Sequence, residues 1–200
     1  MPTESKRTYT KRLRAESETE TRQRITEAAM ALHGSIGPSR TTIKAVADAA
    51  GVQRATVYRH FPTEAALFES CSAHWYSLYP PPDAAAWASV ADVDARLERA
   101  LGELYSWYGS DVEMFVNIVR DAQVVPAMKG PFERRMQAIE MMLGVLMRGR
   151  LERGRRRERI RATIAHAVSF PAWHSLVVVG GMRDDEAVAA MLGAVAASGS

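Results

Sequence analysis

The sequence predicts an all-α fold, with a small three-helix unit at the N-terminus followed by a larger helical region. Apolar residues recur at spacings of three and four positions in successive segments, as on one face of a helix. No segment alternates polar and apolar residues for long enough to require a sheet. Hydrophobic residues make up 47% of the 200 positions, which is enough for each part to bury a core.

The first predicted helix follows a charged, aperiodic stretch over residues 1–17, which we expect to be a disordered basic arm. Ser17 and Glu20 have the spacing of a capping box, so the helix should begin there. Its apolar stripe consists of Ile25, Ala28, Ala29 and Leu32. Glycines and a proline, at Gly34, Gly37 and Pro38, should end it.

The segment from Thr41 to Leu67 predicts two short helices joined by a tight turn. The apolar stripe of the first consists of Ile43, Val46, Ala47 and Ala50. Thr41 or Thr42 can cap its first N–H groups. Gly51 can adopt the left-handed conformation that ends a helix, and Val52 can then fill the junction.

The second helix of this pair should run from Gln53 to Phe61, with Val57 and Phe61 facing inward. The side chains left for its outer faces are Arg54, Ala55, Thr56, Tyr58, Arg59 and His60. They combine hydrogen-bond donors suited to phosphate oxygens and base edges with a small residue that permits close approach. The pair therefore indicates binding to DNA.

The rest of the chain predicts further helices. Pro62 and Thr63 open a fourth helix, which the prolines at 80–82 close. Amphipathic segments follow over residues 93–105, 114–125, 132–151 and 160–176, and a last helix rich in small apolar residues covers 184–197.

Charge and composition narrow the class of protein. The net charge is +3, but residues 1–64 carry eleven basic against seven acidic side chains, so that the positive excess lies with the helix pair. The single cysteine, Cys71, excludes an internal disulfide and suits a reducing compartment. Neither a signal-peptide pattern nor a run of about 20 apolar residues is present, so we expect a cytoplasmic protein with no membrane segment.

The helix pair resembles that of the TetR family of bacterial transcriptional regulators. The matching positions, in register, are Thr41, Thr42, Ala50, Gly51, Val52, Ala55, Thr56, Val57, Tyr58, His60, Phe61 and Leu67. The resemblance is closest over about residues 20–70. It implies a helix-turn-helix DNA-binding domain over residues 18–64 and a helical ligand-binding and dimerisation domain over residues 65–200.

The resemblance also implies which residues contact DNA. Arg54, Ala55 and Thr56 would face the major groove, and Thr42, Tyr58 and His60 would contact the backbone. The full set of expected DNA-binding residues is Thr41, Thr42, Gln53, Arg54, Ala55, Thr56, Tyr58, Arg59 and His60. Two residues depart from the family pattern: Gln53 replaces the usual serine cap, and Glu64 replaces a lysine, so we assign no DNA contact to Glu64.

Two further sites follow from the resemblance. Residues expected to line a small-molecule pocket are Trp75, Trp107, Phe115, Asn117, Arg120, Met141, Phe170, Trp173 and His174. Two recognition helices must reach major grooves ~34–36 Å apart on a palindromic operator, so we expect a homodimer. Small side chains suited to its interface are Ala187, Val188, Ala190, Met191, Ala194 and Val195.

The resulting hypothesis is a DNA-binding regulator, a repressor released by an unidentified small molecule, with no cofactor and no metal. An activator or a ligand-independent DNA-binding protein on the same scaffold is the alternative. An enzyme is a more distant one, because the pairs Cys71 with His74 and His174 with Ser175 lack any supporting motif. The arginine-rich run from Arg148 to Arg161 fits either an anion site or a surface charge patch.

Overall fold

All the regular secondary structure in the residues that the structure describes is helical. The computed structural model describes the backbone of residues 3–199 and the side chains of residue 9, residues 12–13 and residues 15–199. The helices are α1 Thr3–Ser35, α2 Ile43–Ala50, α3 Arg54–His60, α4 Glu64–Leu78, α5 Ala84–Trp87, α6 Val93–Gly109, α7 Val112–Asp121, α8 Lys129–Leu146, α9 Gly154–Ala167, α10 Phe170–Trp173 and α11 Asp184–Ser198. Short 3₁₀ turns cover Pro38–Arg40 and Pro126–Met128, and a π-helix covers His174–Val179. The predicted all-α fold is confirmed.

The chain divides into two compact units, which cut across the boundary expected after residue 64. Unit 1 comprises Met1–Leu78 and Val116–Pro131, and unit 2 comprises Tyr79–Phe115 and Phe132–Ser200. Unit 1 therefore includes α4 and the second half of α7 in addition to the helix pair. Burial explains the inclusion of α4, because Leu67, Phe68 and Cys71 belong to the same apolar core as α1 and α2.

The core of unit 1 is built from the stripes that the sequence predicts. Ile25 and Ala29 of α1, Val46 of α2, and Val57 of α3 are fully buried, and Phe61 is almost so. Residues at spacings of three and four share one face of a helix, so each short helix presents a continuous apolar surface to its neighbours.

Helix α1 begins at Thr3, and not near Ser17 as expected. The arm expected to be disordered over residues 1–17 is thus helical from its third residue, although the side chains of Lys6, Arg7, Lys11 and Arg14 lie outside the described part. Within that part, Arg12 and Glu16 form an ion pair one turn apart, at 3.3 Å. Glutamate, arginine and lysine are good helix formers, and this preference outweighs the capping signal at Ser17.

In unit 2, α11 packs against α6 and α9, and the short α10 contacts both of them. Leu97, Leu101 and Leu104 of α6 and Ile160 and Ile164 of α9 are buried, as the sequence pattern predicts. The phenols of Tyr105 and Tyr108 donate hydrogen bonds to the carbonyls of Ala167 and Val168, at 2.9 and 2.6 Å. These bonds satisfy carbonyls at the C-terminal end of α9, where no further turn of the helix supplies N–H donors.

The helix predicted over residues 160–176 is interrupted. Helix α9 ends at Ala167, and Ser169 caps the next turn by accepting a hydrogen bond from the Ala172 N–H at 3.3 Å. Pro171 has no N–H to donate, so it is compatible with the first turn of a new helix but not with the interior of a continuous one. Apolar periodicity continues across the break, which is why the sequence pattern alone predicted one helix.

None of the described helices is by itself long and apolar enough to cross a membrane, while the bent pair Gly154–Ala167 and Phe170–Val179 meets that test by length and composition only.

Candidate nucleic-acid interface

Helix α2 starts with a side-chain cap. The hydroxyl of Thr42 accepts a hydrogen bond from the Ala45 N–H at 3.1 Å, while the Thr41 hydroxyl donates to the Gly37 carbonyl at 2.9 Å. Of the two threonines considered as caps, Thr42 is the one that fills the role. Thr41 instead ties the start of α2 to the preceding turn.

The turn between α2 and α3 has the predicted geometry. Gly51 is left-handed, with φ of 65° and ψ of 39°, and its N–H and that of Val52 donate to carbonyls in the last turn of α2. A side chain at this φ is strained by contact of its Cβ with the backbone. Val52 is half-buried against the core of unit 1, so it fills the junction as expected.

Helix α3 is anchored on one face and open on the other. Val57 and Phe61 are buried, whereas Arg54, Ala55 and Arg59 are exposed. Tyr58 is also exposed, at 43%, and Thr56 is half-buried. The exposed side of α3 therefore combines guanidinium and phenol donors around a small alanine, within seven residues of helix.

Two of the residues expected to contact DNA, one before α3 and one at its end, have special surroundings. Gln53 stands at the N-cap without a side-chain capping bond, so its amide is not used to start the helix. His60 is half-buried, and its Nε2 atom is buried without a hydrogen-bond partner. Burial lowers the pKa of His60, and the neighbouring guanidinium of Arg59 adds to this effect.

Helix α1 holds the C-terminal end of α3 through Arg22, a residue that sequence reasoning counted only as a charge. Its Nη1 donates to the His60 carbonyl at 2.7 Å, and its guanidinium lies 4.1 Å from the centre of the Phe61 ring. A cation is favourable at a helix C-terminus and over an aromatic face. Its place three residues before the buried Ile25 is the sequence signal that could have located it.

Helix α4 begins at Glu64, where the carboxylate suits the positive end of the helix dipole. The Thr63 hydroxyl accepts the Ala66 N–H at 3.1 Å, so Thr63 acts as the cap. This arrangement explains the departure at Glu64 by helix stability.

Two residues expected in a ligand pocket, Asn117 and Arg120, instead bond within unit 1. Asn117 donates to the Gly34 carbonyl at 2.5 Å, at the end of α1. Arg120 pairs with Asp121, whose carboxylate accepts the Ser39 N–H at 2.9 Å. The Arg120 guanidinium, with the help of that N–H, lowers the pKa of Asp121 to about 2. These side chains brace the turn that leads from α1 into α2.

The hypothetical catalytic pair of Cys71 and His74 is not formed, because Cys71 contacts a different histidine. Cys71 Sγ lies 3.3 Å from the Nδ1 atom of His33 on α1, and both side chains are buried. Burial raises the pKa of the thiol to about 12 and lowers that of the imidazole to about 4. A protonated thiol beside a neutral ring is a structural pair with no nucleophilic character at neutral pH.

Of the other expected pocket residues, five come together in one aromatic cluster and two lie elsewhere. Trp107, Phe115, Phe170, Trp173 and His174 form a ring cluster in unit 2, with Trp107 and Phe115 edge to face at 4.8 Å and Phe115 and Phe170 stacked at 5.1 Å. Met141 is 69% exposed, and Trp75 is buried in unit 1. Aromatic and methionine spacing could not separate core from surface, because both give the same helical period.

The expected dimer residues split between two faces of α11. Ala187, Val188 and Val195 are buried inside unit 2, where α11 packs on α6 and α9, so a partner chain cannot reach them. Ala190 is exposed, and Met191 and Ala194 are half-buried. Because apolar residues, most of them small, occupy every position of α11 from Ala187 to Ala197, the sequence could not show which side faces the core.

Across the described part of the chain, no three His, Cys, Asp or Glu side chains come together in a group that could hold a metal ion.

Comparison with known proteins agrees with this architecture. Residues 25–71 match the family model for bacterial regulatory proteins of the tetR family. No curated protein sequence matches the chain.

Solved structures with the same fold cover most of the chain. One is a TetR-like transcriptional regulator from Rhodococcus sp. RHA1, 19% identical with a TM-score of 0.62, covering 88% of this chain and 93% of that one. Another is NalD, the secondary repressor of the MexAB-OprM multidrug efflux pump in Pseudomonas aeruginosa, 20% identical with a TM-score of 0.63, covering 92% and 97%. A third is the multidrug binding protein EbrR complexed with imidazole, 19% identical with a TM-score of 0.56, covering 87% and 88%. The match over residues 25–71 places the N-terminal domain in the TetR family of bacterial regulatory proteins, and the chain as a whole has a TetR-like all-α fold.

Proposed function

We propose that this protein is a sequence-specific DNA-binding repressor and that a small molecule releases it from its operator. The observation that carries the DNA-binding part is the exposed side of α3, where Arg54, Ala55, Tyr58 and Arg59 stand clear of the core while Val57 and Phe61 anchor the helix. A helix held on one side and open on the other can enter a major groove about 12 Å wide.

The side chains of α3 divide into two roles. Arg54, in the first turn, can offer two parallel N–H donors to a guanine, and the methyl group of Thr56 can contact a thymine. Tyr58, Arg59 and His60 lie further along the helix and would bond to phosphates, with Thr42 and Thr41 at the start of α2. Gln53 makes no capping bond, so its amide is available to a base edge.

Repression and relief by a ligand rest on similarity. NalD is a repressor, and EbrR is a multidrug binding protein complexed with imidazole. A ligand bound among the middle helices would shift the population toward a shape in which α4 tilts and the spacing of the two recognition helices changes. Such a ligand acts only if it binds one shape more tightly than the other. A repressor acts where the chromosome lies, so the proposal includes a cytoplasmic location.

A homodimer is part of the proposal, with its interface on the exposed side of α11. The outward residues there are Ala189, Ala190, Gly193, Ala196 and Ala197, and the adjoining Val178 and Val179 are 47% and 74% exposed. Small side chains let two helices approach closely across a twofold axis. Ala190→Arg should convert a dimer into a monomer in light scattering and weaken operator binding, whereas Ala138→Arg on the exposed side of α8 should do neither.

The test of DNA reading uses selection of bound duplexes by the full-length protein. Arg54→Ala should relax base preference at one position per half-site, at a cost of about 1–3 kcal/mol there. Tyr58→Phe should weaken all sequences about equally. Arg155→Ala, which removes the same charge from an exposed position of α9, is the matched control and should preserve both profile and affinity.

Two outcomes would overturn the proposal. A protein that ignores both its own upstream DNA and random duplexes at low salt is not a DNA-binding regulator. An Arg54→Ala profile identical to that of wild type would remove Arg54 from base reading. Reporter expression from the upstream promoter, measured with and without the protein, separates repression from activation.

A further inference from the structure

A groove in unit 2 lies between α8 and α9, and its lining is unusual in composition. It has a volume of about 540 Å³ and is lined by Glu140, Leu143, Gly144, Met147, Arg148, Arg157 and Arg161. Leu143 and Met147 form an apolar floor that is almost fully buried. Three guanidiniums and one carboxylate surround that floor, so the lining is net positive.

The arginine-rich run contains far more basic than acidic residues. Residues 148–161 contain eight arginines and two glutamates. Two of its arginines form ion pairs with residues outside the run, Arg150 with Asp94 at 2.9 Å and Arg161 with Glu140.

Helix α9 begins with an adverse charge distribution. Its first turn contains Arg155, Arg156 and Arg157 and no acidic residue, and its N-cap Arg153 makes no side-chain capping bond. Cations at a helix N-terminus are repelled by the positive end of the dipole, whereas anions are favoured there. The fold therefore keeps positive charge on α9 at a cost to helix stability, which a bound anion would offset.

The backbone around the groove is held in place before any ligand arrives. Arg157 donates to the Arg150 carbonyl at 2.9 Å, and the Arg150 side chain is only 6% exposed. Arg96, buried beneath the segment that follows α8, donates to the carbonyls of Val145 and Arg148 at 3.1 and 2.6 Å. A site ordered in advance loses less conformational entropy when it binds.

From this lining we propose that the groove binds a small organic anion, one that carries a carboxylate or phosphate group on an apolar body. The guanidiniums of Arg157 and Arg161 match the fork geometry of such groups, and Glu140 holds Arg161 in place while remaining the one repulsive carboxylate. The apolar body lies over Leu143 and Met147. At Gly144, an added Cβ meets nothing within 4 Å, so the space above the floor is open. The site is independent of DNA binding.

The test is titration calorimetry of the full-length protein, without DNA, using phenyl phosphate and inorganic phosphate as probes. Phenyl phosphate should bind at least tenfold more tightly than inorganic phosphate, because only the former covers the apolar floor. Gly144→Leu should fill the groove and lower phenyl phosphate affinity at least tenfold. Leucine is a better helix former than glycine, so this variant should fold, which circular dichroism verifies.

Matched arginine variants separate the site from general charge. Arg157→Gln should lower phenyl phosphate affinity at least tenfold, whereas Arg155→Gln, exposed in the first turn of the same helix and outside the lining, should change it less than twofold. Equal losses in the two variants would overturn the proposal in favour of diffuse attraction. Unchanged phenyl phosphate affinity in Gly144→Leu would also overturn the proposal. So would a DNA site in the same groove, which would be shown if random duplex DNA displaced phenyl phosphate and Gly144→Leu bound the duplex more weakly.

Discussion

Acidification from about pH 7.5 to about pH 5 should weaken the fold of unit 1 through His33. This side chain is 7% exposed, lies 3.3 Å from Cys71 Sγ and packs against the Phe68 ring at 5.1 Å. Burial lowers its pKa from 6.5 to about 4, and the nearby carboxylate of Asp121 only partly opposes this effect. The imidazole is thus neutral in the folded protein at pH values where it is charged in the unfolded chain.

The sign and size of the effect follow from this difference. Between pH 6.5 and about 4 the unfolded state binds the additional proton, so stability is fully present above 6.5 and is lost as the pH falls. Each tenfold change in a protonation equilibrium is worth about 1.4 kcal/mol, so about 3 kcal/mol depends on pH in all, and about 2 kcal/mol of it is lost by about pH 5. Against a typical stability of about 5–15 kcal/mol this loss is large.

The assay is urea unfolding followed by circular dichroism at both pH values. The wild-type midpoint should fall by about 1 M at the lower pH, for a urea dependence of about 2 kcal/mol per M. His33→Gln should lose most of this pH-dependent difference, whatever its stability at neutral pH. His166→Gln, at an exposed position of α9, is the control and should retain it.

His60 stays in both variants, so the smaller contribution from its lowered pKa cancels in the comparison. A His33→Gln protein that loses as much stability on acidification as wild type would refute the assignment to His33. Asp121 cannot account for the change in this window: with its pKa lowered from 3.8 to about 2, its contribution is present above 3.8 and is lost only as the pH falls towards 2.

Three further predictions concern local stability, each measured by chemical unfolding at neutral pH. Thr42→Ala should cost about 1 kcal/mol, because the Ala45 N–H loses its side-chain acceptor at the start of α2; no change would mean that water replaces the cap. Gly51→Ala should destabilise the protein by about 1–2 kcal/mol through its left-handed backbone alone, since an added Cβ there has no neighbouring residue within 4 Å. The exposed Gly102→Ala within α6 should instead stabilise it by about 0.5–1 kcal/mol. A change of the same sign in both variants would contradict the backbone explanation. Arg96→Met should cost about 3 kcal/mol or more, because it removes the side-chain donor to the carbonyls of Val90, Ala91 and Arg148, whereas the Val145 carbonyl keeps the Arg148 N–H. A loss below about 1 kcal/mol would show that water satisfies these carbonyls.

The helix pair could be predicted from sequence because each of its signals is local. The cap at Thr42, the left-handed Gly51 and the inward Val57 and Phe61 depend on residues within a few positions of one another. The structure contains these features of the helix pair, and it also shows that Gln53, which replaces the usual serine, makes no side-chain capping bond.

The partners of long polar side chains could not be predicted in this way. Arg22 bonds to a carbonyl 38 residues away, Asn117 to one 83 residues away, and His33 meets Cys71 across 38 residues. Nothing in the local spacing of Asn117 or Arg120 distinguishes a ligand contact from a brace on the end of α1. The sequence therefore provided no means of distinguishing these two roles.

The sequence by itself determined the all-α class, the helix pair with its outward donors, and the positive charge of the first 64 residues. Helical period, capping and turn chemistry act over a few residues, so they can be read along the chain. Only the tertiary structure decided which side of α11 is buried, that Asn117 and Arg120 brace unit 1, and that Arg148, Arg157 and Arg161 surround a groove with an apolar floor. Those outcomes depend on which helices pack together, and a helical period specifies that a face will be buried without specifying its partner.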